Sequence, residues 1–156
     1  MAKGNLPFRC VSIAAHVLCL RGKRASVLLL KRRGSPLHGS WQMVAGKIER
    51  GETAAQAAWR EVAEETGLTP TALYSADTLE LYYNIERDCI ECSPAFVAFV
   101  PARAKVRLSH EHSAHQWVTV RSALKRLVFS EQRRILRHIE ANFVRKKPPE
   151  CLKLFI

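Results

Sequence analysis

Between Thr53 and Thr66 the chain reads TAAQAAWREVAEET, and no other stretch constrains the fold as tightly. Thr53 stands where an N-cap accepts an amide, Gln56 three residues on completes a capping box, and Gly67 is a natural stop. The segment is therefore predicted to be a helix. At about 100° per residue, Arg60, Glu61, Glu64 and Glu65 fall within an arc of about 140°. Ala55, Trp59, Val62 and Thr66 fall in a second arc suited to packing. Such a helix lies against an apolar layer on one side and presents carboxylates on the other. Ala54 and Ala57 fall on the acidic side, where their short side chains are expected to leave space above the carboxylates.

The apolar layer has to come from the rest of the chain. Val11 to Leu20, Val27 to Lys31 and Trp41 to Ala45 read as strands, separated by Arg-Gly-Lys and Gly-Ser-Pro turn material. After Pro70, Thr78 to Ile85, Pro94 to Val100 and Gln116 to Val120 read as further strands, with Arg87 to Ser93 as a loop. Ser122 to Leu127 reads as a short helix. Ser130 to Val144 reads as a longer one, with Ile135, Leu136, Ile139 and Phe143 as its apolar stripe, ended by Lys146 to Pro149. Strands, helix, strands, then helices without βαβ alternation imply a mixed α/β layered fold. The 156 residues suit one domain spanning 1–156. Hydrophobic residues at 47% and charged residues at 25% exclude an extensively disordered chain.

Lys3, Arg9 and the apolar run after them have the outline of a short signal segment. His16 interrupts the run, which is shorter than the roughly 18 residues of a spanning helix, so it is assigned to the fold. Five cysteines, an odd number scattered along the chain, argue against a disulfide framework and for a reducing, cytoplasmic setting. Cys89 and Cys92 form one C-x-x-C without the second pair that a structural zinc site needs. The net charge of +11 attracts polyanions without saying which.

An acidic helix face taken alone is usually a solvated one. Three carboxylates crowded together repel, however, and Arg60 can pair with Glu64 at i,i+4 but cannot neutralise all three. A divalent cation can. Mg²⁺ prefers oxygen ligands and leaves positions for water and substrate phosphates, and Mn²⁺ takes similar ligands.

Gly46, Glu52, Arg60, Glu61, Val62, Glu64, Glu65, Gly67 and Leu68 match the Nudix signature G-x5-E-x7-R-E-U-x-E-E-x-G-U, with U aliphatic, at every position. The chain thus resembles the Nudix hydrolases, with the box at 46–68. The resemblance implies an α/β/α sandwich around a mixed sheet and a metal-dependent cleavage of a phosphoanhydride bond by water. It implies that Glu61, Glu64, Glu65 and the Gly46 carbonyl bind the cation and that Arg60 orients a carboxylate. Glu52 would support the metal's ligands and waters and border the substrate.

Outside the box, Ser109 to His112 before Trp117 is similar to the loop where many Nudix enzymes place another catalytic and metal-binding Glu, and Glu111 is the candidate. Glu61 or Glu111 would take the proton of the attacking water. His110 and His112 read as surface histidines. Arg33 with its neighbour Arg32, at the end of the second strand, and Trp41 are candidate substrate contacts. The pattern W-Q-x-V-x-G at 41–46 with the box and the E-H before a late Trp is similar to dATP pyrophosphohydrolases that also act on dihydroneopterin triphosphate. A small nucleotide-like substrate and release of pyrophosphate are therefore expected, with no membrane partner and the oligomeric state open. Competing expectations are an RNA 5′-end, nucleotide-sugar or dinucleoside polyphosphate pyrophosphohydrolase, the first encouraged by Arg133, Arg134, Arg137, Lys146 and Lys147, or a non-catalytic nucleotide-binding module.

Overall fold

The computed structural model describes residues 4–156, so Lys3 lies outside the described residues. Its centre is a parallel pair, β2 (Ser12–Arg21) and β7 (Cys89–Phe99), in register from Ala14 opposite Ala95 to Leu18 opposite Phe99. Strand β6 (Ala72–Asn84) runs antiparallel to β7 and carries β9 (Lys153–Leu154) on its outer edge. On the other side β3 (Arg24–Arg32) pairs antiparallel with β2, and β8 (His112–Thr119) with β3. The short β1 (Phe8–Arg9) lies parallel to β7. The sheet is mixed, as expected.

Alternation along β2 divides the core in two. Ile13, Ala15, Val17 and Cys19 face the helix α1 (Ala54–Thr66), together with Leu28, Leu30, Val44, Ala58 and Val62. Ala14 and Leu18 face the other way, with Val27, Leu29 and the helices α2 (Val120–Arg126) and α3 (Ser130–Ile139). Helices on both faces make the α/β/α sandwich. The predicted stripe of Ile135, Leu136, Ile139 and Phe143 is buried, although the last turn, Glu140–Val144, widens into a π-helix. No described helix is long and apolar enough to cross a membrane.

The predicted strand over Trp41 to Ala45 is two strands, and the break positions the site. Strand β2 holds β3 only from Leu18 to Arg21, so the two diverge beyond their hairpin. The gap is filled by β4 (Trp41–Gln42), which pairs with β3, and β5 (Val44–Lys47), which pairs with β2 through Ile13 opposite Gly46.

Two further boundaries differ from expectation. Cys89 to Ser93, predicted to lie in a loop, belong to β7, and their polar member Glu91 is buried between Arg9 at 3.5 Å and Arg87 at 3.2 Å. Charge pairing lets a sequence that looks like a loop continue a strand. Strand β6 begins at Ala72, six residues before the expected Thr78, and its ladder with β7 continues past an irregularity between Ser75 and Leu79, with Asp77 at φ 54°.

Candidate active site

Both helix-end signals of α1 are realised. Thr53 accepts from the Gln56 amide at 3.1 Å while Gln56 accepts from the Thr53 amide at 2.9 Å, and Gly67 takes the left-handed conformation at φ 68°. Beyond Gly67 the chain returns to the helix end: Arg107 N–H donates to Thr66 O at 2.7 Å and Ser109 N–H to Glu65 O at 3.2 Å. Arg33 N–H donates to Glu111 O at 2.8 Å, so the Glu111 loop is tied to both α1 and β3.

The acidic arc is not a uniform surface. Arg60 stands at its outer edge and makes five hydrogen bonds: two to Glu52, at 2.8 and 3.0 Å, and one each to Glu61 at 2.8 Å, Glu64 at 3.0 Å and the Lys47 carbonyl at 2.9 Å. The Arg60 bond and the Glu49 amide hold the Glu52 carboxyl below the usual carboxylate range. Glu52 is thereby the clamp that fixes Arg60, and Arg60 in turn aims Glu61.

Farther round the arc the carboxylates sink between α1 and β5. Glu61 lies over the backbone of Gly46, where a Cβ would fall 2.0 Å from its carboxyl carbon. Gly46 is therefore a matter of space rather than of backbone angle. Burial pushes the Glu61 carboxyl up, with Arg60 opposing and Glu64 and Glu111 adding to the rise. Glu65 is 4% exposed and its pKa is pushed up to about 9, by burial first and then by Glu61 and Glu111, while the Ala45 amide and Arg32 pull it down. Its Oε2 is buried without a hydrogen-bond partner among the described residues.

That orphaned oxygen is the test of fit for a cation. A buried, unpaired carboxylate beside two others is costly unless a positive charge completes it, and an all-oxygen set suits a hard divalent ion. Among the described residues no three candidate ligands already converge, because Arg60 draws Glu61 and Glu64 towards itself. The donor chemistry fits the ion, and Arg60 holds the donors in its place.

The remaining expected residues surround this centre. Glu111 and Arg33 are exposed and line a small cavity of about 190 Å³ with Arg32, Gln42 and His112. Trp41 lines neither cavity; Lys31 and Arg126 lie 5.9 and 5.5 Å from its ring, and it packs against the α2/α3 side of the core. Ala57 does not open space above the carboxylates, since it is fully buried among Ile13, Ala15, Val44 and their neighbours. The acidic and packing arcs overlap, so a small residue in the overlap serves the core.

A larger cavity of about 630 Å³ lies on the α3 side and reaches Gln42, Met43 and Ala45. A cavity of this size suits a nucleoside-sized group.

The model of the NUDIX domain matches residues 12–139, which holds every element from β2 to α3 and the whole acidic constellation. The chain belongs to the NUDIX family. Among curated relatives, an octanoyltransferase of Myxococcus xanthus is 40% identical over 142 residues, 86% of this NUDIX chain and 37% of that protein. A dihydroneopterin triphosphate diphosphatase of Escherichia coli is 47% identical over 64 residues, 41% of this chain and 40% of that one. The chain thus spans about two fifths of the length of either relative. Among solved structures, an E. coli dihydroneopterin triphosphate pyrophosphohydrolase superposes with a TM-score of 0.69 at 27% identity, covering 90% of this chain and 98% of that one. A Caenorhabditis elegans Ap4A hydrolase in a binary complex superposes with a TM-score of 0.71 at 25% identity, covering 83% and 94%.

Sequence reading missed one residue buried at the candidate site of this NUDIX chain. His112, expected at the surface, is 3% exposed, with Nε2 3.9 Å from Glu65 Oε2 and 3.3 Å from Gln42 Nε2; burial lowers its pKa. Its signal was the early start of β8, since His112 is already paired with Arg32. His110, by contrast, is exposed as expected. Of the expected pair Arg32 and Arg33, Arg32 is the cation that acts on Glu65.

Proposed function

We propose that this chain is a divalent-cation-dependent pyrophosphohydrolase that cleaves a phosphoanhydride bond of a nucleoside-triphosphate-like molecule and releases pyrophosphate. The observation that carries the reading is Glu65, buried and with an orphaned oxygen beside Glu61 and Glu111. Glu61, Glu64, Glu65, Glu111 and the Gly46 carbonyl would hold Mg²⁺ or Mn²⁺. When bound, the cation neutralises phosphate charge and lowers the pKa of the attacking water.

The chain's own residues do the positioning. Glu52 locks Arg60, Arg60 orients Glu61, and Gly46 leaves room for that carboxylate. Glu61 or Glu111 accepts the proton of the attacking water. Arg33 meets the phosphates at the mouth of the small cavity, Trp41 supports the substrate-facing end of β4, and the larger cavity takes the nucleoside or its analogue. We further propose that residues 1–156 act as one domain in the cytoplasm, on a small molecule rather than a nucleic acid.

Substrates of the dATP or dihydroneopterin triphosphate kind are supported by the relative and the solved structure that carry the latter name. The test is a panel of dATP, dihydroneopterin triphosphate, triphosphorylated RNA and ADP-ribose, following pyrophosphate, phosphate and, for ADP-ribose, AMP, with Mg²⁺ and with chelator. Mg²⁺-dependent pyrophosphate release from the first two is expected. Turnover of only the last two would overturn the choice of substrate.

A further inference from the structure

The larger cavity joins the acidic site through shared residues. Gln42 lines both cavities, and Ala45, in the wall of the larger one, donates its amide to Glu65. One molecule can therefore place a phosphate chain at α1 and a flat ring against α3. The ring would lie among Met43, Leu81 and Phe129, and its identity would be read by the polar groups among them.

Of those groups, Glu80 is the one whose state is unexplained by the fold. It is half-buried on β6, lines the cavity, and its Oε1 accepts from Gln132 Nε2 at 3.3 Å. Glu131, another acid lining the cavity, is held by Arg134 at 2.6 Å and by the Leu81 amide, whereas Glu80 forms no ion pair among the described residues. Burial pushes the Glu80 carboxyl up and Gln132 offsets part of the rise. A desolvated carboxylate with one amide donor keeps unused acceptor capacity, since two oxygens offer about four lone-pair sites.

We propose that Glu80, steadied by Gln132, is a specificity-determining residue that selects a heterocycle offering adjacent N–H donors, the 2-amino-oxo-pyrimidine edge shared by guanine and pterins, over adenine. The ring N–H and exocyclic amine of that edge both donate to the carboxylate, in the paired, charge-assisted arrangement that strengthens hydrogen bonds. Adenine offers one donor beside a ring nitrogen whose lone pair would face the carboxylate. The proposal rests on the nucleoside-triphosphate reading above and narrows its substrate class.

The experiment compares equilibrium binding of dGTP, dITP and dATP by titration calorimetry in chelator, where turnover stops but the ring contact remains. dITP lacks only the exocyclic amine of dGTP. Wild-type protein should prefer dGTP over dITP by about tenfold and over dATP by about ten- to a hundredfold. Glu80→Gln, which replaces the acceptor pair by one donor and one acceptor, should bring dATP level with dGTP or ahead of it. Equal affinities in the wild type, no binding of any of the three, or a uniform shift in the variant would overturn the proposal. The wild-type comparison needs no variant to fold. Mg²⁺-dependent pyrophosphate release, measured alongside, separates the two readings. Equal binding with turnover sinks only the role of Glu80, while selective binding without turnover in Mg²⁺ or Mn²⁺ sinks only the hydrolase.

Discussion

The α1 face and the α3 face of the sheet both place carboxylates out of water, and they balance them differently. On the α1 face one guanidinium serves Glu52, Glu61 and Glu64, and Glu65 keeps one buried oxygen without a hydrogen-bond partner among the described residues. On the α3 face Glu131 has Arg134, while among the described residues Glu80 has only the amide of Gln132. The first arrangement carries surplus negative charge close to a gap between strands, so it suits a cation and the phosphates a cation brings. The second sets Glu80, which unlike Glu131 has no ion pair among the described residues, beside the apolar Met43, Leu81 and Phe129, and suits neutral N–H groups. Two chemistries, charge compensation and hydrogen-bond reading, are thus assigned to opposite sides of one sheet and meet at β4 and β5.

Crowding at Gly46 gives the sharpest way to break the α1 arrangement. Gly46→Ala puts a methyl group 2.0 Å from the Glu61 carboxyl and must expel it. Turnover should fall by about a hundredfold or more, with the far-UV spectrum preserved. A variant that keeps full activity would show that Glu61 need not lie there.

Arg60→Ala removes five hydrogen bonds at once and frees three carboxylates to repel. Urea unfolding should report a loss of about 2–3 kcal/mol. The Glu61 and Glu64 side chains would also be released, so Mg²⁺ should recover part of that loss in the variant. An unchanged midpoint without metal would remove Arg60 from its place as the hub.

Saturating Mg²⁺ should raise the melting temperature of the wild type by about 5–10 °C, as expected for a ligand at roughly 100 times its Kd acting on a chain of this length. Glu65→Gln should lose most of that rise. Scanning calorimetry with Mg²⁺ and with chelator measures both.

On the α3 face, His16 gives a subtler contrast. It is fully buried, its Nε2 has no hydrogen-bond partner among the described residues, and burial lowers its pKa to about 4 from an unfolded value of 6.5. Between those values the unfolded chain binds a proton that the folded one does not, so stability falls as pH drops through this window. This residue alone should contribute about 3 kcal/mol of that fall. Unfolding midpoints at pH 7, 6, 5 and 4 should show a shallower slope for His16→Leu than for wild type. Parallel slopes would contradict the assignment.

The two faces also differ in how far they can be read from sequence. The α1 constellation lies within one helix and the loop before it, so spacing alone groups Arg60, Glu61, Glu64 and Glu65 and places their capping residues. Helical spacing did not reveal depth: Ala57 and Glu65 are buried because β5 crosses beneath the acidic arc, and that crossing depends on the divergence of β2 from β3. The α3 cavity takes Gln42, Glu80 and Gln132 from β4, β6 and α3, residues brought together only by tertiary topology. His112 was hidden for the same reason, since its burial follows from its pairing with Arg32 across β8 and β3. Glu91 made a strand look like a loop because its partners Arg9 and Arg87 are contributed from either side of it in the chain.

The most direct test of the central claim is pyrophosphate release from a nucleoside triphosphate in Mg²⁺, comparing the wild type with a Glu64→Gln, Glu65→Gln double variant whose spectrum and unfolding midpoint establish that it is folded. Metal-dependent turnover in the wild type and a loss of about a hundredfold or more in the variant are predicted. Equal turnover by the two proteins would contradict the account.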